Sequence, residues 1–163
     1  MLERAALLLG EAVSLAQADV TRLDLGETFD AVVSNGGVWY GVRDGSGHGY
    51  CGHLPQLEAV RQSVLRVGQH VAPGGALVLS IQDRHADKVM ELPDGVTYEQ
   101  RIEPKGGGVF QKEYIFTRGA ERIAYESLDL AYYDSDVFEG FAKEAGLGAP
   151  KPTADREYVV FRR

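Results

Sequence analysis

The sequence predicts an α/β fold: a sheet flanked by helices and carrying a small antiparallel β insert or lid. Three observations lead there. Ala31-Val32-Val33 and Ala76 to Ile81 are short apolar runs of the kind that form buried parallel strands. An amphipathic helical pattern lies between them. From Val96 onward the pattern changes to two-residue alternation, the mark of antiparallel strands with one wet face.

Taken in order, Met1 to Leu9 places Leu2, Ala5, Leu8 and Leu9 on one helical face, and Gly10 is a natural stop. Val13 to Ala18 is short, apolar and β-permissive, so a strand is expected there. Phe29 to Ser34 contains the first buried run and ends in Asn35-Gly36-Gly37, where the chain must turn. Gly41 to Gly52 reads as a loop with five glycines, His48 and the only cysteine, and His53 follows it. Pro55 suits the first turn of a helix. In that helix Leu57, Val60, Val64, Val67 and Val71 recur at three- and four-residue steps.

Pro73-Gly74-Gly75 reads as a turn before the second buried strand. Val96, Tyr98 and Ile102, then Phe110, Tyr114 and Phe116, then Ile123 and Tyr125 alternate with polar residues. Gly106-Gly107-Gly108 and Arg118-Gly119 separate these runs, so residues 96–132 are expected to form an antiparallel insert. Asp134 or Ser135 can cap a helix that buries Val137, Phe138, Phe141 and Ala145 and stops at Gly146. Tyr158 to Phe161 reads as a last strand.

A chain of 163 residues suits one domain spanning 1–163. Acidic residues exceed basic ones by 24 to 17, giving a net charge of −7. That balance disfavours nucleic acid and anionic membranes as partners, because both attract basic surfaces. A single cysteine excludes an internal disulfide framework and a multi-cysteine zinc site. No apolar stretch reaches the roughly 18 residues of a membrane span. The apolar run near the start is too short for a secretory leader, and Glu3 and Glu11 flank it, so a cytoplasmic helix is the expectation.

Several segments together carry a resemblance: Met1-Leu2-Glu3-Arg4-Ala5, Ala18 to Leu23, Phe29 to Ser34, and Val71 to Val78 with its Pro73-Gly74-Gly75. Ala145-Gly146-Leu147 and Tyr158-Val159-Val160-Phe161 follow in order. Over nearly its whole length the chain resembles class I S-adenosylmethionine-dependent methyltransferases, especially those acting on small molecules. The resemblance implies a Rossmann-like sheet with S-adenosylmethionine as cofactor. Asp19 would accept a hydrogen bond from the adenine amino group, and the Val20 backbone would meet the ring edge. Ser34, Asn35 and Gly36 would face the methionine part, beyond the carboxyl end of a strand as open α/β sheets require. Bland readings stand beside these: Asp19 can simply cap the turn that follows it, and Asn35-Gly36-Gly37 can be only a turn.

One departure matters most. The family's first motif, a Gly-rich loop after the first strand, is absent, as is the acidic residue that ends the second. The expected sheet is therefore partial, with its first two strands missing between the Val13–Ala18 and Ala31–Ser34 strands. A second polypeptide that supplies them would make a split enzyme. Alternatively, the flanking strands pair directly, or the sequence is a fragment of a longer enzyme.

For the chemistry, methyl transfer from a sulfonium needs alignment and exclusion of water, and a base only where the acceptor must lose a proton. His53, His48 and Tyr40 are the candidate catalytic groups, with His53 preferred because it stands at the entrance to a helix. Trp39, Tyr40, Arg43 and Tyr114 are candidate acceptor contacts. His48, Cys51 and His53 with Asp44 match no closed zinc pattern, so no metal is expected. The expected function is methyl transfer to an N, O or C atom of a small-molecule acceptor. The alternative is a non-catalytic, methyltransferase-like binding or regulatory subunit. A nicotinamide oxidoreductase is less favoured, since no GxGxxG opens a strand–helix unit.

Overall fold

A computed structural model describes residues 2–44 and 47–163, with the side chains of Asp44, Gly47 and His48 outside the described set. The architecture is mixed α/β. Helix α1 (Leu2–Leu9) comes first, and it buries none of its residues. The expected strand at Val13 to Ala18 does not form: these residues are exposed and join no ladder. The physical reason is that β-permissive sequence makes a strand only where a neighbouring strand accepts its hydrogen bonds.

The first strand is β1 (Phe29–Ser34), then β2 (Trp39–Asp44) and β3 (Gly47–Gly52). The glycine-rich stretch expected as a loop is therefore an antiparallel hairpin, with Tyr40 opposite Cys51 and Trp39 opposite Gly52. Its glycines serve close approach rather than flexibility: a Cβ on Gly41 would stand 3.1 Å from the Ile81 side chain. Helix α2 (Leu57–Gln69) buries Val60, Val64 and Val67 as its periodicity requires. Val71, the last member of that apolar series, already belongs to the next strand.

That strand, β4 (Val71–Asp83), organises the molecule. Pro73-Gly74-Gly75 lies inside it, not before it, and β1 shifts register against it between Phe29 and Ala31. Gly74 sits at φ +81°, and a Cβ on Gly75 would come within 2.8 Å of the Asp30 carbonyl, so the tripeptide acts as a bulge that only small residues permit. β1 pairs in parallel with the first part of β4, as far as Ser34 opposite Leu79. β2 then pairs in parallel with its last part, Gly41 opposite Ile81. The chain thus leaves β4 at the end of β1, turns through residues 35–38, and rejoins the same strand.

β5 (Lys88–Leu92), β6 (Val96–Gly106), β7 (Val109–Arg118) and β8 (Glu121–Tyr133) follow as an antiparallel meander. β8 closes against β3, with Cys51 opposite Tyr132. Helix α3 (Ser135–Glu144) and the strands β9 (Lys151–Pro152) and β10 (Tyr158–Arg162) complete the chain. The strand order is β5-β6-β7-β8-β3-β2-β4-β10-β9, with β1 also on β4. Among the described residues no helix is long and apolar enough to cross a membrane.

Two cores result. The larger holds Trp39, Tyr50, Val60, Val64, Leu77, Leu79, Tyr133, Phe138 and Phe161. Helices α2 and α3 meet closely beside it at Gly68, where a Cβ would stand 2.7 Å from the Cβ of Ala145. The smaller core holds Tyr40, Val42, Cys51, Phe110 and Leu130. Alternation of side chains along β2, β3 and β8 explains the split. Trp39, Tyr50 and Tyr133 face the helices, while their chain neighbours Tyr40, Cys51 and Tyr132 face the other way.

Candidate functional site

The site is built on that second face. Register carries it from Tyr40 on β2 to Cys51 on β3 and Tyr132 on β8. It continues through Phe110, Lys112, Tyr114 and Phe116 on β7 to Ile102, Gln100 and Tyr98 on β6. The connection from β4 to β5 lies against it. Arg84 stands over the Tyr132 ring at 4.3 Å, and Gln100 donates to the Ala86 carbonyl at 2.6 Å. The Ile102 amide donates to Asp87 Oδ1 at 2.7 Å.

This connection brings His85 into the centre. Its Nε2 is 2.6 Å from the Tyr40 hydroxyl and its Nδ1 is 3.2 Å from Lys112 Nζ. Tyr40 also donates to Cys51 Sγ at 3.3 Å. An ammonium only donates, so Lys112 assigns Nδ1 as acceptor and puts the ring proton on Nε2. Nε2–H then donates to the Tyr40 oxygen, which leaves the phenol proton for Cys51. Each donor in the chain has one acceptor.

Electrostatics keep the members uncharged apart from the lysine. Burial first, then the charge of Lys112, pushes His85 down to about 4. Burial, with Cys51 beside it, holds the Tyr40 phenol well above its usual range. Burial pushes the Cys51 thiol up to about 11. Lys112 itself is lowered by burial. Because the folded pKa of His85 lies below its ordinary 6.5, the unfolded chain binds a proton there that the folded chain refuses. The stability so contributed is present above pH 6.5 and is lost as pH falls toward about 4. Thermal melting across that window is expected to fall, and His85→Gln to flatten the fall; an unchanged slope in the variant counts against this account.

The candidates from sequence are distributed unevenly. Tyr40 and Tyr114 lie on the site face. His53 follows β3; burial and Lys112 both lower its pKa, which places its ring within the electrostatic reach of the cluster. The His48 side chain is outside the described residues. Trp39 is corrected: it is 2% exposed in the larger core, and its Nε1 donates to Ser63 Oγ at 2.9 Å, so it faces away from any acceptor. Arg43 is also redirected, being paired with Asp83 at 3.0 Å and donating to the Arg156 carbonyl. Among the described residues no three His, Cys, Asp or Glu side chains group to hold a metal ion.

Sequence reasoning missed His85 and Lys112. Lys112 left a signal: it sits in the inward register of Phe110, Tyr114 and Phe116, where an apolar residue is the default. His85 left none, because a connecting segment's course is not written in periodicity.

The residues expected at a cofactor come from the Asp19 turn and from the end of β1. Asp19 caps the short turn Val20–Arg22, receiving the Thr21 amide at 2.9 Å and the Thr21 hydroxyl at 2.8 Å, both on Oδ1. Those bonds hold its carboxyl below the usual range. Its other oxygen accepts nothing among the described residues. At the end of β1, Ser34 donates to the Trp39 carbonyl and the Gly36 amide donates to Ser80 Oγ. These two shape the turn, with Gly36 at φ +61°. Asn35 is exposed with its amide unengaged among the described residues. A Cβ on Gly37 would stand 2.8 Å from Ser34 Oγ, so glycine lets the turn close on the Ser34 side chain. The ionised Asp19 and the exposed turn at the carboxyl end of β1 have the chemistry to meet an adenosyl amino acid.

No family model and no curated protein matches the chain. Solved structures do match. The sugar N-methyltransferase KedS8 of a Streptoalloteichus species superposes with a TM-score of 0.67 at 22% identity, over 98% of this chain and 66% of that one. CalS10 of Micromonospora echinaspora, an amino pentose methyltransferase solved with S-adenosylmethionine bound, gives 0.67 at 20% identity, over 99% and 69%. DesVI of Streptomyces venezuelae gives 0.66 at 20% identity, over 98% and 69%. The likeness is one of fold, and the chain spans about two thirds of the length of these structures.

Proposed function

We propose that this chain takes part in methyl transfer from S-adenosylmethionine to a small-molecule acceptor. The observation that carries the reading is the arrangement on β4. The turn at the end of β1 and the strand that carries Tyr40 both follow β4, and His85 just beyond β4 joins Tyr40 to Lys112 of β7, in a fold shared with solved methyltransferases. Asp19 would hold the adenine amino group through its unengaged oxygen, with the Val20 backbone at the ring edge. Asn35 and the Gly36 turn would meet the methionine end. The cofactor's sulfonium supplies the activated methyl group when bound.

The remaining tasks fall to the second face. Tyr98, Tyr114 and Phe116 offer a half-buried aromatic surface for the acceptor. Tyr40, kept protonated by burial, orients His85 rather than acting as a base. His53 is the exposed imidazole near the cluster and takes the proton that the acceptor loses, its lowered pKa keeping it neutral at physiological pH. Since the names of two similar structures specify a sugar nitrogen or an amino pentose, an amine on a small molecule is the acceptor we favour.

The free edge of β1 bears on partners. Among the described residues β1 pairs only with β4, and Val33 on it is 58% exposed. A further segment from a second polypeptide, pairing along that edge, would cover it and complete the cofactor site.

The test is calorimetric titration of the chain with S-adenosylhomocysteine, beside Asp19→Asn. The variant keeps an oxygen for the Thr21 cap but turns an amide N–H toward the adenine amino group. Binding that the variant weakens about tenfold or more supports the reading. A folded chain that binds nothing overturns it for this chain alone, and leaves the non-catalytic subunit as the better account.

A further inference from the structure

Lys112 is a cation on the inner side of a sheet with no anion to meet it. The residue is 7% exposed. Its Nζ reaches His85 Nδ1 and stands 4.8 Å from the centre of the Tyr114 ring. No ion pair among the described residues includes it. The groups facing it from the surrounding elements are Tyr40 on β2, Cys51 on β3, His53 after β3, and His85 with Arg84 after β4. None is an acid. Glu126, opposite Tyr114 on β8, raises that phenol, and no carboxylate is among the groups that shift the lysine.

Burying an ammonium without a counter-charge is costly, and folded proteins keep such a group where something pairs with it. The surroundings of Lys112 form a surface as well as a charge. Tyr98 stacks toward Tyr114 with ring centres 6.2 Å apart and meets Phe116 at 5.2 Å. All three rings are half-buried, as is Ile102 directly opposite Lys112 on β6. The ammonium has three donors, one given to His85 and one turned on the Tyr114 ring, which leaves one for a ligand. An aromatic shelf of inclined rings beside one buried charge selects for ring-bearing molecules and by charge number. One buried cation balances one negative charge, whereas a dianion would leave an excess charge in the same low-dielectric place.

We propose that Lys112 and the Tyr98–Tyr114–Phe116 shelf bind a planar monoanion, an aromatic or conjugated carboxylate, borne by the acceptor molecule. The inference rests on the methyl-transfer reading and names the class of acceptor for it. The carboxylate takes the free donor of Lys112, and the planar body lies on the shelf.

The probes are benzoate, its neutral isostere benzamide and phenyl phosphate, titrated into the isotope-labelled chain without cofactor and followed by NMR. The expected result is benzoate binding about tenfold or more tighter than benzamide, and tighter than phenyl phosphate, with shifts centred on Lys112, Tyr98 and Tyr114. Lys112→Met should erase the preference over benzamide and Lys112→Arg should keep it. Equal binding of benzoate and benzamide by the wild-type chain overturns the proposal, as does tighter binding of phenyl phosphate or an unchanged preference in a folded Lys112→Met. None of these readouts involves S-adenosylhomocysteine, so loss of the carboxylate site and loss of the cofactor site are told apart.

Discussion

Phe138→Ala is expected to lower the unfolding free energy by about 3–5 kcal/mol, the usual range for deleting a large side chain from a core. Phe138 is fully buried and is the only large side chain that α3 buries completely. It stacks on Tyr50 with ring centres 4.2 Å apart and meets the edge of Trp39 at 5.6 Å. Phe161 and Tyr133 close the cluster at 6.3 and 6.4 Å. These partners come from β2, β3, β8 and β10, so no single element can move to fill the space. Denaturant unfolding should show a lower midpoint at an unchanged slope. A loss under about 1 kcal/mol would mean that the cluster collapses around the gap. The effect reaches the site through alternation: the strands whose inner residues pack on Phe138 carry Tyr40, Cys51 and Tyr132 on their other face.

Gly52→Ala is expected to cost about 3 kcal/mol, the upper part of the usual range for overpacking. A Cβ there would lie 2.5 Å from the Val38 carbonyl oxygen, 2.9 Å from the Tyr133 hydroxyl and 3.1 Å from the Trp39 Cβ. The first of these is backbone and is already engaged, accepting the His53 amide at 2.9 Å. The Tyr133 hydroxyl is engaged as well, donating to the Leu54 carbonyl at 2.7 Å. Relief therefore requires parting β3 from β2 and β8, between which Gly52 pairs with Trp39 and Ala131. The same unfolding measurement reads the loss. Amide exchange adds a second sign: protection along β2 and β3 should drop more than protection along β4 and β10. A variant as stable as the parent would show that the hairpin tolerates a wider spacing.

The expected α/β class, the two buried strands, the amphipathic helix and the alternating insert could be read in the chain because each rests on local periodicity. Val60, Val64 and Val67 fall on one side of a helix whatever lies around it, and Phe110 and Tyr114 fall on one side of a strand. The mistaken elements are those whose outcome depends on a neighbour. Val13 to Ala18 has strand-forming residues and no ladder to join. Gly41 to Gly52 has loop composition, yet β4 and β8 offer it edges on both sides, and its glycines allow the approach.

The candidate site divides the same way. Read with the resemblance, the sequence pointed to Tyr40, Tyr114, Asp19 and the Asn35-Gly36 turn. Only the tertiary structure decided that Trp39 and Tyr40, adjacent in the chain, serve opposite faces, since pleating sends one to each side and only the packing of α2 and α3 chooses which side becomes core. It also brought His85 between Tyr40 and Lys112, from positions 45 and 27 residues away along the chain. Periodicity reports which side of its own element a residue occupies. Which elements then face each other is a matter of long-range pairing, and the hydrogen bonds that join Tyr40, His85 and Lys112 exist only once that pairing is made.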